Sequence, residues 1–344
     1  HVCDWAGFDE SLARMKEQIG EGRKVVNPFS VLALTADLAI LRKAAEVFAL
    51  HQRSEAFRLG PVSKRARHDR IRIGYYSADF HEHATAYLMA ELFELHDKNR
   101  FELVAFSFGP ETGDPMRQRL SSAFDRFVDV RLRTDREVAL LSREMGIDVA
   151  IDLKGYTEDS RPGIFACRTA PVQVSYLGFP GTMGVNFMDY IIADKTLIPT
   201  GSQSGYTEKI VYLPNSYQVN DAKRVISSRA FTREELGLPA SGFVFACFNN
   251  TYKITPAVFA AWMRILMRVG DSVLWLFETN SDAVDNLRKE AAARGVDPCR
   301  LVFAKRLPLP EHLARIRMAD LFLDTLPYNA HTTTSDALWA GLPV

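Results

Sequence analysis

Side-chain chemistry concentrates in one stretch of this 344-residue sequence, Leu323-Asp324-Thr325-Leu326-Pro327-Tyr328-Asn329-Ala330-His331-Thr332-Thr333-Thr334-Ser335-Asp336. It reads as a strand end, a Pro/Asn turn, and a helix whose first residues carry hydroxyls. The first N–H groups of a helix lack intrahelical acceptors and lie at the positive end of its dipole, so they cradle phosphate readily. N-capping by threonine accounts for one or two hydroxyls. Three in a row, Thr332 to Thr334 after His331, exceed what a cap needs. Asp336, one turn in, is placed to accept from a ribose hydroxyl.

Further candidates sit at other strand ends. Phe248-Asn249-Asn250-Thr251-Tyr252-Lys253 follows an apolar run, which puts Lys253 where an ammonium neutralises a diphosphate. A plain surface lysine is the alternative on position alone. His312 and Arg315 are spaced i, i+3 and share a helix face, which suits stacking on a base and bonding its edge. An ordinary polar face suits that spacing equally. His83, in Tyr75-Tyr76-Ser77-Ala78-Asp79-Phe80-His81-Glu82-His83-Ala84-Thr85, is an imidazole able to act as base or to hold a sugar hydroxyl. The His81/His83 pair has no accompanying ligand cluster, which disfavours a metal. Gly178 opens Gly178-Phe179-Pro180-Gly181-Thr182-Met183-Gly184, a turn that lets backbone approach a ligand or serves simply as a turn.

The elements that must position these residues follow from periodicity. Residues 1 to about 60 read as helical, followed by a basic link (Pro61, Lys64, Arg65, Arg67, His68, Arg70, Arg72) that lacks interleaved aromatics and reads as solvated rather than nucleic-acid-binding. Strands are expected at Ile71–Ser77, Glu102–Phe108, Asp148–Leu153, Val172–Leu177 and Tyr190–Ala193, with helices at Thr85–His96 and Asp135–Met145. A polar stretch near Pro214 to Gly242, with a short helix Arg233–Leu236, marks the domain crossing. A second series has strands at Phe243–Phe248, Val273–Phe277, Leu301–Ala304 and Leu321–Leu323. Its helices are Pro256–Met267, Asp282–Arg294, Glu311–Met318 and Ser335–Ala340. Continuous apolar strands separated by helices indicate parallel sheets covered on both faces. The expected fold class is therefore α/β, with two doubly wound Rossmann-like domains facing a cleft. The expected divisions are a helical segment and linker (1–70), a first domain (71–230) and a second (231–344) that stops short of its full sheet.

Composition narrows the function further. Lys plus Arg and Asp plus Glu are 42 each, so the formal net charge is zero, and 47% of residues are hydrophobic. That balance excludes disorder and argues against general attraction to nucleic acid or anionic membrane. There is no signal-peptide pattern and no spanning apolar segment. Cys3, Cys167, Cys247 and Cys299 are scattered, which fits free thiols in a reducing, cytoplasmic compartment. A Gly-x-Gly-x-x-Gly after a strand, a Walker A loop, an Asp-x-Asp pair and a Gly-x-Ser-x-Gly elbow are all absent.

Taken together, these segments resemble the catalytic region of the O-linked N-acetylglucosamine transferase family, bacterial members and plant SPINDLY proteins included. The matching stretches are Arg72-Ile73-Gly74-Tyr75 through Thr85, Gly155-Tyr156-Thr157, Ala170-Pro171-Val172-Gln173-Val174, Gly178 through Thr182, and Met188-Asp189-Tyr190. Phe248-Asn249-Asn250 to Lys253 and Leu323 to Gly341 complete them, and Val2-Cys3-Asp4-Trp5 resembles the region's start. The resemblance implies a GT-B architecture and an inverting, metal-independent transfer of N-acetylglucosamine from UDP-N-acetylglucosamine to Ser or Thr hydroxyls of a protein or peptide. It implies no cofactor beyond the nucleotide-sugar donor, and neither a nucleic-acid nor a membrane partner. By the same resemblance Lys253 meets the diphosphate, Thr332 and Thr333 the phosphate oxygens, Asp336 the ribose, and His312 and Arg315 the base. Asn250 joins the donor site, His331 lies near the sugar–phosphate junction, and His83 and Gly178 line the sugar side. His83 and Lys253 are the catalytic candidates. Leu309, Tyr328 and Asn250 depart from the family pattern, where animal members carry Lys, Cys and Gln. SPINDLY-type relatives use GDP-fucose, so protein O-fucosyl transfer, or donor binding without catalysis, is the alternative. The tetratricopeptide repeats that normally precede this region are absent from the sequence.

Overall fold

The computed structural model describes residues 2–52, 59–62 and 68–344. Lys64, Arg65 and Arg67 of the basic link lie outside them. Arg70 and Arg72 are engaged within the fold, with Asp125 at 3.1 Å and Glu102 at 2.8 Å respectively.

The chain divides into two compact units, one holding residues 14–32 and 37–223, the other the segment up to Ala13, residues 33–36 and residues 224–344. Three helices come first: α1 (Phe8–Gly20), α2 (Pro28–Leu32) and α3 (Leu38–Gln52). The larger unit then alternates β1 (Ile71–Ser77), α4 (Ala84–Leu95), β2 (Phe101–Ser107), α5 (Pro115–Ala123), β3 (Arg126–Asp129), α6 (Asp135–Glu144), β4 (Val149–Asp152) and α7 (Pro162–Ala166). It closes with β5 (Val172–Ser175), β6 (Tyr190–Ala193) and β7 (Lys209–Tyr212). All seven strands are parallel, in the order β3-β2-β1-β4-β5-β6-β7. Side chains alternate across this sheet into two apolar layers. Tyr76, Val104, Phe106 and Ala150 pack into one, and Tyr75, Leu103, Ala105 and Ile151 into the other. Burial on both faces is why β1, β2 and β4 read as largely apolar runs, with Arg72 and Glu102 near the starts of the first two.

The smaller unit alternates β8 (Val244–Cys247), α8 (Pro256–Arg268), β9 (Val273–Phe277), α9 (Ser281–Ala293), β10 (Leu301–Ala304), α10 (Leu309–Arg315), β11 (Leu321–Phe322) and α11 (Thr332–Ala340). Its four strands are parallel in the order β10-β9-β8-β11. Val244, Leu274, Trp275, Phe259 and Leu287 form its core. The chain's opening residues join that core: Trp5 packs on Phe259 with ring centroids 5.4 Å apart, the Cys3 thiol donates to the Thr251 carbonyl at 3.7 Å, and Asn286 Nδ2 donates to the Val2 carbonyl at 2.9 Å.

Each sheet has one position where the chain runs outward in both directions, β1/β4 in the larger and β8/β11 in the smaller. The loops leaving such a pair of strands diverge and open a crevice for ligand.

The α/β reading holds, with local corrections. Arg233–Leu236 is not a helix. Thr232 and Glu235 exchange cap bonds (Thr232 N–H to Glu235 Oε2 at 2.9 Å, Glu235 N–H to Thr232 Oγ1 at 3.2 Å), but Gly237 at φ +68° ends the turn at once. Helix α11 begins at Thr332 rather than Ser335, so the three threonines are its first turn. The helix expected at Glu311–Met318 runs from Leu309 to Arg315 and tightens into a 3₁₀ turn over Ile316–Met318.

Candidate functional site

In the smaller unit the site is built by the two loops of its switch point. After β11, the Asp324 carboxylate accepts from the N–H groups of Thr325 (2.7 Å) and Ala330 (2.6 Å) and from Asn329 Nδ2 (2.7 Å), folding residues 324–330 round one side chain. After β8, buried Asn249 donates from Nδ2 to Thr325 Oγ1 at 2.9 Å, and its Oδ1 accepts from the Thr333 hydroxyl. Asn249 thus ties both loops to the start of α11.

That helix start is open. His331 stands at the N-cap without capping through its side chain, and the first ladder bond is Ser335 N–H to His331 O at 3.1 Å. The N–H groups of Thr332, Thr333 and Thr334 precede it, at the positive end of the helix. Thr334 Oγ1 is buried and has no hydrogen-bond partner among the described residues.

Lys253 closes a 3₁₀ turn, Thr251–Lys253, and is buried. Its ammonium donates to the Asn329 carbonyl at 2.9 Å and lies 3.9 Å from the Tyr328 ring centroid. Burial pushes it down to about 8, with Asp324 opposing the shift. His331 is pushed down to about 4 by burial and then by the Lys253 charge, so it is a neutral imidazole at physiological pH. The structure therefore brings together Lys253, His331, Thr332 and Thr333. Together they make a concentration of positive potential built from one ammonium and one helix end.

His312 and Arg315 form a pair on α10. Arg315 Nε donates to His312 Nδ1 at 3.1 Å, so the neutral ring carries its proton on Nε2. Burial holds His312 down to about 3 and Arg315 down to about 10. His312 packs edge-on to Phe248 at 5.0 Å, and the Arg315 guanidinium lies 5.4 Å from that ring. Phe248 directly follows β8, so the pair stands beside the same loop as Lys253. Asn250 is exposed; its carbonyl accepts from Lys253 N–H at 3.0 Å, while its neighbour Asn249 makes the side-chain contacts to the cradle. Asp336 is buried and ion-paired with Arg224 at 2.6 Å, and burial still raises its carboxyl to about 6.

In the larger unit, His83 is the N-cap of α4. Its Nδ1 accepts from Thr85 N–H at 3.2 Å and lies 3.5 Å from Asp79 Oδ2. With Nδ1 accepting, the neutral ring carries its proton on Nε2. Asp79 is buried and accepts from the Lys154 ammonium through both oxygens at 2.8 Å. Asp152 beneath this pair is pushed up to about 6 by burial, against the Lys154 and Gly155 N–H groups that bond it. Gly178 is required by contact: a Cβ there would lie 1.9 Å from the Leu153 carbonyl oxygen. The turn that Gly178 opens is anchored by Glu208, whose carboxylate accepts from the Thr182 hydroxyl and the Met183 N–H, each at 2.6 Å. Among the described residues no group of three His, Cys, Asp or Glu gathers in a metal-binding cluster, and no helix is long and apolar enough to cross a membrane.

Sequence reasoning did not single out Asn249, Asp324, Arg224, Asp79, Lys154 or Glu208. Only Asp324 carried a readable signal, an acidic residue at a strand end ahead of a Pro/Asn turn.

Comparison with known proteins shows the family of the chain. The family model described as glycosyl transferase family 41 matches residues 2–230 and 225–344. An Arabidopsis thaliana protein named a probable UDP-N-acetylglucosamine–peptide N-acetylglucosaminyltransferase, SEC, is 34% identical over 100% of this chain and 37% of its own length. The Caenorhabditis elegans UDP-N-acetylglucosamine–peptide N-acetylglucosaminyltransferase is 26% identical over 100% of this chain and 41% of its own. A solved mutant of the Thermobaculum terrenum O-GlcNAc transferase superposes with a TM-score of 0.82 at 31% identity, covering 92% of this chain and 61% of that one. The chain thus spans about two fifths of the length of these two curated relatives.

Proposed function

The chain belongs to glycosyltransferase family 41 and has that family's GT-B fold, and from this premise we propose that it transfers N-acetylglucosamine from UDP-N-acetylglucosamine to Ser or Thr hydroxyls of a protein acceptor, with inversion, without a metal, in the cytosol. The observation that carries the proposal is the uncapped, threonine-bearing start of α11 beside the buried Lys253 ammonium. The names of the relatives supply the donor and the acceptor class. Cys3, Cys167 and Cys247 are buried free thiols, in keeping with a reducing compartment.

The acceptor hydroxyl oxygen attacks the anomeric carbon as the bond from that carbon to the diphosphate breaks; the hydroxyl proton passes to an oxygen of the departing diphosphate or to water, and negative charge grows on the leaving UDP. Lys253 and the N–H groups of Thr332 and Thr333 meet that charge in a site already organised by Asp324 and Asn249, as charge-stabilising catalysis requires. The positive ends that a metal supplies elsewhere are here an ammonium and a helix dipole. His312 and Arg315 hold the base, Asn250 borders the donor, and Asp336 takes the ribose. His331, neutral, contacts the sugar–phosphate junction without adding charge. His83 serves the sugar and acceptor side together with Gly178.

Calorimetry of the chain with UDP, UDP-N-acetylglucosamine and GDP-fucose, followed by a transfer assay, tests the reading. UDP-N-acetylglucosamine binding with sugar transfer is expected. Preference for GDP-fucose shifts the assignment to protein O-fucosyl transfer, for which Leu309 and Tyr328 leave room. Donor binding without any transfer makes the chain a non-catalytic relative.

A further inference from the structure

Arg224 belongs to none of the motifs above, yet it is the cation that grips the start of α11. Its side chain is 3% exposed. Nη1 donates to Asp336 Oδ1 at 2.6 Å and Nη2 to Ser335 Oγ at 3.2 Å. The guanidinium lies 5.1 Å from the Trp339 ring, whose Nε1 donates to the Arg224 carbonyl at 3.3 Å. One planar fork therefore holds three residues of α11 spaced i, i+1 and i+4. Two atoms of the pair are left over. One is Asp336 Oδ2. The other is Arg224 Nε, buried and without a hydrogen-bond partner among the described residues. The remaining carboxylate oxygen matches a hydroxyl, which can donate to it, whereas a phosphate oxygen only accepts and is repelled by the carboxylate.

We propose that Arg224 is a positioning residue for the nucleoside: it fixes the Asp336 carboxylate so that its second oxygen accepts from a ribose hydroxyl of the donor. This rests on the donor reading above, in which Asp336 takes the ribose. The physical requirement is plain. A buried carboxyl deprived of its cation takes up a proton and swings free, and then no longer presents a fixed anionic acceptor.

The test is calorimetry of UDP against 2′,3′-dideoxyuridine 5′-diphosphate, on the wild-type chain and on Arg224→Met and Arg224→Lys. The wild type should bind UDP about tenfold tighter than the dideoxy compound, the worth of one hydrogen bond to a charged group. Arg224→Met should lose about that factor for UDP while binding the dideoxy compound within about twofold of wild type. Arg224→Lys keeps a charge on Asp336 but loses the fork, and should fall between, again for UDP alone. Equal weakening of both ligands would show that Arg224 merely supports the helix, and unchanged UDP affinity would show that it is idle; either overturns the proposal. Should Arg224→Met fail to fold, the same ratio in Arg224→Lys decides. A wild type that binds UDP but ignores the missing hydroxyls overturns the ribose role alone, whereas a wild type that binds no UDP overturns the donor reading with it.

Discussion

The two switch points are built alike and finished in opposite ways. Each has a lysine just past a strand end and a helix opening nearby. At β1/β4 the cation, Lys154, is neutralised by both oxygens of Asp79, and α4 is capped by His83. At β8/β11 the cation, Lys253, donates to a carbonyl and lies over a ring face, with Asp324 acting on it through space, and the His331 side chain makes no cap bond to α11. The first arrangement is satisfied within the protein; the second is left short of negative charge. One topology thus yields a closed ion pair in one unit and, in the other, a lysine without a bonded carboxylate beside a helix start, the pair that the proposed function assigns to the donor's diphosphate.

Matched substitutions break this comparison most directly. Lys154→Met should strand a buried Asp79 carboxylate and cost about 3–5 kcal/mol of stability, as loss of one partner of a buried pair does; chemical denaturation reads it. Lys253→Met should leave the thermal midpoint unchanged or raised, since it removes a charge that burial disfavours, yet cut sugar transfer by on the order of 10²–10³-fold. Full activity in that variant would remove Lys253 from the reaction. A pH titration of UDP affinity is the next sharpest test. Lys253 titrates near 8 in the free protein, and a bound diphosphate favours its charged form. Affinity should therefore hold steady up to about pH 8, then fall by up to about tenfold per unit as pH rises further. Lys253→Met should abolish that dependence. The smallest effect belongs to Thr333→Val, which loses one hydroxyl already tied to Asn249 and should weaken UDP binding by about 1 kcal/mol in the same calorimetry.

Legibility in the sequence followed burial. Ile71–Ser77, Tyr190–Ala193, Val273–Phe277 and Leu301–Ala304 were readable to the residue because each is an apolar run, broken in the first by Arg72, that ends at polar positions. The β3 strand, Arg126–Asp129, and the β7 strand, Lys209–Tyr212, escaped notice because they are the two edges of the larger sheet and each alternates or ends in exposed residues. Helix α5 was hidden by its polar Arg117-Gln118-Arg119 stretch, although Asp114 caps it and Pro115 opens it. At the site, the Lys253 and Thr332–Thr333 cradle showed in residue type and in position at strand ends. The partners that finish it did not. Arg224 and Asp336 are 112 residues apart and Asp79 and Lys154 are 75 apart, and no local pattern encodes contacts at such separations.

The insertion of the opening residues into the smaller unit's core carries a consequence for how the chain comes to be folded. Cys3 meets Thr251 across 248 residues, and Val2 meets Asn286 across 284. On a ribosome, every element of the larger unit emerges before those partners exist, so that unit can complete itself while the first dozen residues wait. Closing so long a loop costs little more than closing a short one, because the entropy grows only with the logarithm of length. The delay is one of time. Trp5 stays exposed until α8 has been made, and the smaller unit is the one whose assembly such high contact order slows.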